Sequence, residues 1–221
     1  MRTVLALVLT VTVVSCSPGD ADDPVSTIPP GEGETSPVAA VETLVAAINE
    51  PDFAAASHLA VPGHAALASL AEGAGFGDVA EALRTGDEEV AANFWAGFAQ
   101  GSGSFLVGTV TAAEDGSHTE GDLDFTIVEV VPPNGDSRNL LVREVGGWRI
   151  DLFASFGPGL ADKMIAPVER LLSTQTEDAR LILSELKTIV PSLLAAAEQP
   201  STSPDVAQQL LALVEVITRV G

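Results

Sequence analysis

Four side chains that could bind a metal ion alternate along one predicted strand. His118, Glu120, Asp122 and Asp124 are spaced two residues apart, so they share one face of an extended chain. Imidazole and carboxylate groups are common ligands of divalent cations. A straight strand spreads four such groups over about 20 Å, whereas a metal site collects its ligands around one point. We therefore expect a solvated strand face beside a turn, and no metal site.

The other two histidines stand apart from any recognisable ligand set. His58 and His64 lie on either side of Pro62-Gly63, with no cysteine or third histidine nearby in the sequence. The chain also lacks the H-E-x-x-H, G-x-S-x-G and phosphate-binding loop motifs. Because catalytic groups can be dispersed along a chain, an enzyme is not excluded. We name no catalytic residue and no cofactor, and we favour a protein that is not an enzyme.

One glycine-rich segment fits a nucleotide-binding spacing. Gly75, Gly77 and Ala80 match G-x-G-x-x-A. That fingerprint works only between a strand and a helix, where backbone N–H groups meet a pyrophosphate. The segment before it is rich in alanine and has a helical pattern, so we expect a turn here.

The only cysteine, Cys16, ends an apolar leader. Residues 4–14 are too few to span a hydrocarbon core about 30 Å thick, and they have the length of a signal-peptide apolar region. The sequence Val13-Val14-Ser15-Cys16 resembles the bacterial lipobox. This resemblance implies a diacylglyceryl group on the Cys16 thiol, cleavage between Ser15 and Cys16, and often acylation of the new amine. It places the protein at the extracytoplasmic face of a bacterial cell membrane.

Composition supports this organisation. Residues 1–15 are predicted to be a signal peptide, and residues 16–36 a disordered, acidic, proline-rich tether that cannot bury enough apolar area to offset its ordering entropy. Loss of Arg2 with the leader leaves 9 basic and 31 acidic residues, a net charge of −22. Such a charge argues against binding nucleic acid or lying flat on anionic lipid. The lipid on Cys16 is therefore expected to hold the protein to the membrane.

The first part of the folded chain has the pattern of helices. Ser36 and Pro37 are typical of a helix start, and the first helix is predicted to end at Asn49. A later predicted helix, 87–100, carries aromatic side chains at helical spacing, a pattern more typical of a core than of a ligand site. Candidates for lining a pocket are Phe94, Trp95, Phe98, Trp148 and Ile150.

Four antiparallel strands are predicted after the helices. Their predicted ranges are 104–112, 118–131, 138–145 and 148–153, with turns at 115–116, 132–136 and 146–147. The glycine and Asn-Gly turn signals make consecutive hairpins, whose sheet the preceding helices would cover on one face. In the last strand Trp148 and Ile150 share one face, and Arg149 and Asp151 the other.

The order of these elements resembles a known family. The segments AVETLVAAINEPDFAAASHL and REVGGWRIDLF, with helices and a strand meander between them, are similar to the nuclear transport factor 2-like group of α+β cones. The resemblance covers about residues 37–156. It implies N-terminal helices packed on a curved, cone-like antiparallel sheet. That fold holds carriers, enzymes and domains without activity alike, so it implies no particular function. Catalytic members place Asp and His inside the cone, but the alternation directs Asp151 away from Trp148 and Ile150.

The tail, residues 158–221, extends beyond that α+β domain of residues 37–157. A helix is predicted at 160–172, and Thr174 and Glu177 form a capping-box pattern that opens a second. Another amphipathic helix begins at Ser203-Pro204, so the end of the chain is predicted to be a helical hairpin. Its wide apolar stripes favour packing on the α+β domain, with assembly between chains as the alternative.

Three functions remain open from the sequence. The favoured one is a lipid-anchored, non-catalytic domain that binds an apolar small molecule or another envelope protein. The second is a cone-type hydrolase or dehydratase with a histidine and carboxylate pocket. The third is an assembly module that acts through the C-terminal helices.

Overall fold

The computed structural model describes residues 33–133 and 135–219. The lipobox, the modification at Cys16 and the tether up to residue 32 lie outside the described residues and stay predictions. Within the described part of the chain, no helix is both long and apolar enough to cross a membrane.

Gly33 and Glu34, just before the first helix, form backbone hydrogen bonds with residues 146–148. Gly33 N donates to Gly146 O at 2.8 Å, and Trp148 N donates to Glu34 O at 2.8 Å. The backbones come so close that a Cβ on Gly33 would lie 2.6 Å from the carbonyl carbon of Gly147. Residues 33 and 34, predicted as part of the tether, therefore belong to the folded body.

From residue 33 onward, five helices precede the sheet. They are α1 Pro37–Asn49, α2 Phe53–Leu59, α3 His64–Ala68, α4 Phe76–Thr85 and α5 Ala92–Gln100, with short 3₁₀ turns at Ser69–Glu72, Glu89–Ala91 and Ser104–Leu106. The predicted start of α1 is confirmed, because Ala39 N donates to the Ser36 hydroxyl at 3.1 Å and Pro37 is the first helical residue. Gly75 lies between the 3₁₀ turn that follows α3 and the start of α4. A dinucleotide fingerprint needs a strand before its glycines, and here a helical segment takes that place.

Four strands form one antiparallel sheet in the order β1-β2-β3-β4, as predicted. Their bounds are β1 Thr111–Glu120, β2 Leu123–Val131, β3 Arg138–Glu144 and β4 Trp148–Ile150. The predicted strand at 104–112 is wrong, since its first residues form a 3₁₀ turn. No turn forms at Asp115-Gly116, where one was predicted. Instead, β1 continues through these residues with a shift in its pairing to β2. Gly116 has φ +145°, and a glycine with positive φ suits a β-bulge as well as a turn. The hairpin turn lies at Gly121-Asp122 instead.

The fourth strand ends earlier than predicted, at Ile150. Asp151 caps the long helix α6, Leu152–Ser173, by accepting hydrogen bonds from Phe153 N and Ala154 N. The period-two pattern of 148–153 concealed this helix start. The division predicted between residues 157 and 158 falls inside α6, which continues through Pro158 and Pro167.

Both faces of the sheet are covered, rather than one. Val128, Leu140, Val142 and Ile150 face the main core, which α1 shares. On the other face Phe125 and Leu141 pack against Ala154 of α6 and Ala195 of α8, Val190–Glu198. The sheet is not strongly curled, and the cone shape stays a prediction.

The tail folds into more helices than the predicted hairpin. After α6 come α7 Glu177–Thr188, α8 and α9 Pro204–Thr218. The predicted capping box is wrong: Thr176, not Thr174, caps α7 by accepting from Ala179 N. The apolar stripes are buried in the main core, including Ile182, Leu186, Ile189, Leu193, Leu210, Leu213 and Ile217. The tail therefore packs on the rest of the chain.

Candidate functional site

A cavity of about 270 Å³ opens between α2 and the segment that joins α4 to α5. Phe53, Ala54 and Ala92 contribute to its mostly apolar lining, and Ser57, His58 and Glu88 bring polar groups. We call it the Glu88 cavity. Its volume is slightly below the range of about 300–1,000 Å³ that is usual for small-molecule pockets.

Glu88 is a carboxylate in an environment that disfavours its charge. Loss of hydration raises the pKa of Glu88 to about 7, although a hydrogen bond from Gly63 N, the charge of Arg149 and the Ser57 hydroxyl all act in the opposite direction. Gly63 N donates to Oε1 at 3.1 Å. Glu88 Oε2 is shielded from solvent and has no hydrogen-bond partner among the described residues. The group is therefore poised between its two protonation states near neutral pH.

Ser57 connects the Glu88 cavity to the aromatic core. The buried Ser57 hydroxyl accepts a hydrogen bond from Trp95 Nε1 at 2.8 Å. A hydroxyl has only one proton to donate, so the Trp95 bond leaves that proton free for the carboxylate of Glu88. Trp95 is itself held by Phe94 and Phe98, whose ring centroids lie 5.1 and 5.4 Å from its own. The serine is therefore positioned by a rigid cluster.

Arg149 fixes the other side of this region. It is only 4% exposed, and its guanidinium donates to the carbonyl oxygens of His58 and Ala60, at the end of α2, and to Val145 O. Burial lowers the pKa of Arg149, and the charge of Glu88 opposes that effect. Arg149 thus joins β4 to α2 and places a positive charge near Glu88.

A second buried polar cluster surrounds Asp151. Its Oδ2 lies 2.9 Å from Arg143 Nε and accepts from the Ser192 hydroxyl at 2.8 Å, while Oδ1 lies 3.5 Å from His64 Nδ1. With the two N–H groups that it caps at the start of α6, Asp151 accepts three hydrogen bonds, while Arg143 Nε and His64 Nδ1 lie beside it without a hydrogen bond to it. The structure thus brings an Asp and a His together, but a carboxylate so fully engaged holds elements in place.

His64 is neutral in this cluster. It is 4% exposed and its ring packs edge-on against Phe153, with centroids 5.0 Å apart. Burial lowers the pKa of His64 to about 4, which outweighs the opposing effect of Asp151. Because the unfolded chain binds this proton near pH 6.5, the cluster couples folding to pH.

The predicted pocket-lining residues fall into two groups. Phe94, Trp95 and Phe98 are buried together in the core. Trp148 and Ile150 lie on β4, facing the main core as predicted, and Trp148 also lines a groove of about 520 Å³ at the end of the sheet. Only Trp95 touches the Glu88 cavity's polar groups, through Ser57, and the lining role of the five stays a prediction.

Sequence reasoning placed His58 among its candidates but missed Glu88. The environment of Glu88 is assembled from Ser57, Gly63 and Arg149, which lie 25 to 61 residues away in the sequence. No spacing rule relates such positions. The one available signal was an acidic residue at the start of the predicted aromatic helix 87–100, which in the structure begins only at Ala92.

Comparison with known proteins does not assign this chain to a family. The resemblance to the nuclear transport factor 2-like group therefore stays a prediction, resting on residues 37–156. No family model, curated protein or solved structure matches this chain.

Proposed function

We propose that this chain is a lipid-anchored, extracytoplasmic protein whose folded part binds a small, mostly apolar molecule in the Glu88 cavity. The ligand would carry one hydrogen-bond donor, such as an amine, amide or hydroxyl group, for the carboxylate of Glu88. The observation that carries this proposal is that Glu88, whose Oε2 has no hydrogen-bond partner among the described residues, lines a mostly apolar cavity.

The cost of an unpaired polar atom supports a ligand there. A buried donor or acceptor without a partner costs about 1–3 kcal/mol, so native proteins rarely keep one without a use. A ligand donor would supply the missing bond, and the walls formed by Phe53 and Ala92 would bury its apolar part. Gly63 N already holds Oε1 of the carboxylate, which lowers the entropy lost on binding.

The placement outside the cell rests on the first 36 residues. The lipobox resemblance at Val13–Cys16 supplies the anchor, and the acidic spacer behind it separates the folded body from the lipid surface. The resemblance of residues 37–156 to α+β cones agrees with a binding role, because that group includes carriers. A cone-like curvature of the sheet is part of the same proposal.

Ligand capture can be tested with a matched pair of variants. A library of small apolar amines, amides and alcohols is screened against the full-length protein by thermal shift, and hits are confirmed by calorimetry. Glu88→Gln should weaken a true ligand at least tenfold, whereas Glu42→Gln, an exposed acid on α1, should leave its affinity unchanged. Equal affinity in wild type and Glu88→Gln would refute the proposal.

A second candidate function is acid–base catalysis by Glu88. A general base is most effective when its pKa lies near the working pH, and the pKa of Glu88 is about 7. His58 at the same cavity would make a histidine and carboxylate pair. If the protein hydrolyses or dehydrates a substrate, Glu88→Gln should lower kcat at least 100-fold, and a loss below tenfold would exclude this role.

A further inference from the structure

Three metal-binding side chains converge where β1 meets the end of α8. His118 and Glu120 share one face of β1, and Glu198 is the last residue of α8. One ligand atom from each lies within 4.8 Å of the other two. The helix thus supplies the third ligand that a straight strand cannot provide for itself.

The structure separates the four side chains that alternate in the sequence, for which no metal site was expected. Asp122 lies in the turn after β1, and Asp124 begins a new strand opposite Thr119, whose hydroxyl donates to it at 2.8 Å. Asp124 therefore already has a partner. Only His118 and Glu120 keep the shared face that the sequence predicted.

The separations fit a single cation. Three atoms no more than 4.8 Å apart lie within about 2.8 Å of a common centre, which is the separation divided by the square root of three. Zinc binds imidazole nitrogen and carboxylate oxygen at about 2.0–2.2 Å, so the ligand atoms need to close by about 0.6–0.8 Å. The Glu198 side chain is 61% exposed and can make that movement.

His118 supplies an independent indication of a ligand. Its Nε2 is shielded from solvent and has no hydrogen-bond partner among the described residues. The nearest opposite charge, Glu198 Oε2, is 3.9 Å away, beyond hydrogen-bond distance. The ring lies beside Phe125, with centroids 6.1 Å apart, and the His118 side chain is 21% exposed.

We propose that His118, Glu120 and Glu198 bind one divalent transition-metal ion of the zinc type, which links β1 to α8. Imidazole favours zinc and its neighbours over magnesium and calcium, which prefer oxygen ligands. Three protein ligands leave a fourth position for water, as in open zinc sites. The ion would also neutralise the repulsion between two carboxylates held close together.

The test uses full-length protein without a histidine tag, stripped with a chelator and titrated with ZnCl₂ by calorimetry, with CaCl₂ as the comparison. We expect one equivalent of zinc to bind, zinc to raise the melting temperature, and calcium to bind at least tenfold more weakly. Cobalt(II) in place of zinc should give the visible absorption of a four-coordinate site.

Variants separate this site from adventitious binding. His118→Gln and Glu198→Gln should each weaken zinc binding at least tenfold, and the exposed Glu198→Gln in particular should leave folding intact. Glu114→Gln removes an exposed carboxylate from the same strand and should bind zinc like the wild type. Absence of saturable zinc binding, or equal affinity in His118→Gln and wild type, would overturn the proposal.

Discussion

Arg143 Nε lies 2.9 Å from Oδ2 of Asp151, and this ion pair joins β3 to the first turn of α6; the carboxylate is fully buried and the Arg143 side chain is 14% exposed. Burial of two charges is costly unless each is well paired. Here Ser192, His64 and two backbone N–H groups complete the surroundings of the carboxylate. The pair therefore holds four elements in register: the sheet, α3, α6 and α8.

Removing the carboxylate should be among the most damaging single changes in this fold. Asp151→Ala leaves Arg143 buried without a counter-charge and the N-terminus of α6 without its cap, so we expect a loss of about 3–5 kcal/mol in the free energy of unfolding. Urea denaturation followed by circular dichroism measures this. Asp162→Ala, an exposed position on α6, should change it by less than about 0.5 kcal/mol. A loss under 1 kcal/mol in Asp151→Ala would contradict the role given to the pair.

His64 should make the protein less stable in mild acid. Its pKa falls from 6.5 in the unfolded chain to about 4 in the fold, so its contribution is present above pH 6.5 and is lost as the pH falls through 4. The full effect is about 3 kcal/mol. Urea denaturation at pH 7 and at pH 4 measures this effect. Between these two pH values the wild type should lose about 3 kcal/mol more of its free energy of unfolding than His64→Gln does. An unchanged stability difference across this pH range would contradict the effect assigned to burial of His64.

Glu88 should make the protein less stable as the pH rises, which is the opposite of the effect of His64. Its pKa is raised from 4.5 to about 7, so its neutral form favours folding below pH 4.5, and that contribution is lost as the pH rises through 7. We expect Glu88→Gln to gain up to about 3 kcal/mol relative to the wild type between pH 4.5 and pH 8, measured in the same denaturation series. Parallel profiles for wild type and Glu88→Gln would show that the carboxylate ionises normally.

Ser57 should matter for both stability and the Glu88 cavity. Ser57→Ala leaves the buried Trp95 indole N–H without its acceptor, which costs about 1–3 kcal/mol. It also removes a donor that favours ionised Glu88, so the pKa of Glu88 should rise further. Denaturation followed by tryptophan fluorescence measures the first effect, and the pH profile of stability the second. Ser201→Ala, at an exposed turn, should show neither effect.

The features that the sequence predicted correctly are those that neighbouring residues determine. Ser36-Pro37 predicted the start of α1, and the glycine pair at 146–147 predicted the last hairpin. The start of α6 was missed because Trp148–Phe153 alternates like a strand, and the capping by Asp151 is decided by its buried partners. Glu88 and Glu198 owe their surroundings to residues far away in the chain, and periodicity carries no information about such contacts.

The last prediction concerns the anchor. If residues 1–15 are removed, the mature chain would carry a net charge of −22, so an anionic membrane surface would repel it and the predicted lipid on Cys16 would have to supply the attachment. Cys16→Ser should therefore leave the protein unprocessed or release it from the membrane fraction, with an unchanged melting temperature for the folded body. Ser17→Ala should still be processed and sediment with membranes. Fractionation followed by mass spectrometry of the N-terminal peptide distinguishes these outcomes. A processed Cys16→Ser protein that stays on membranes would show that another part of the chain binds there.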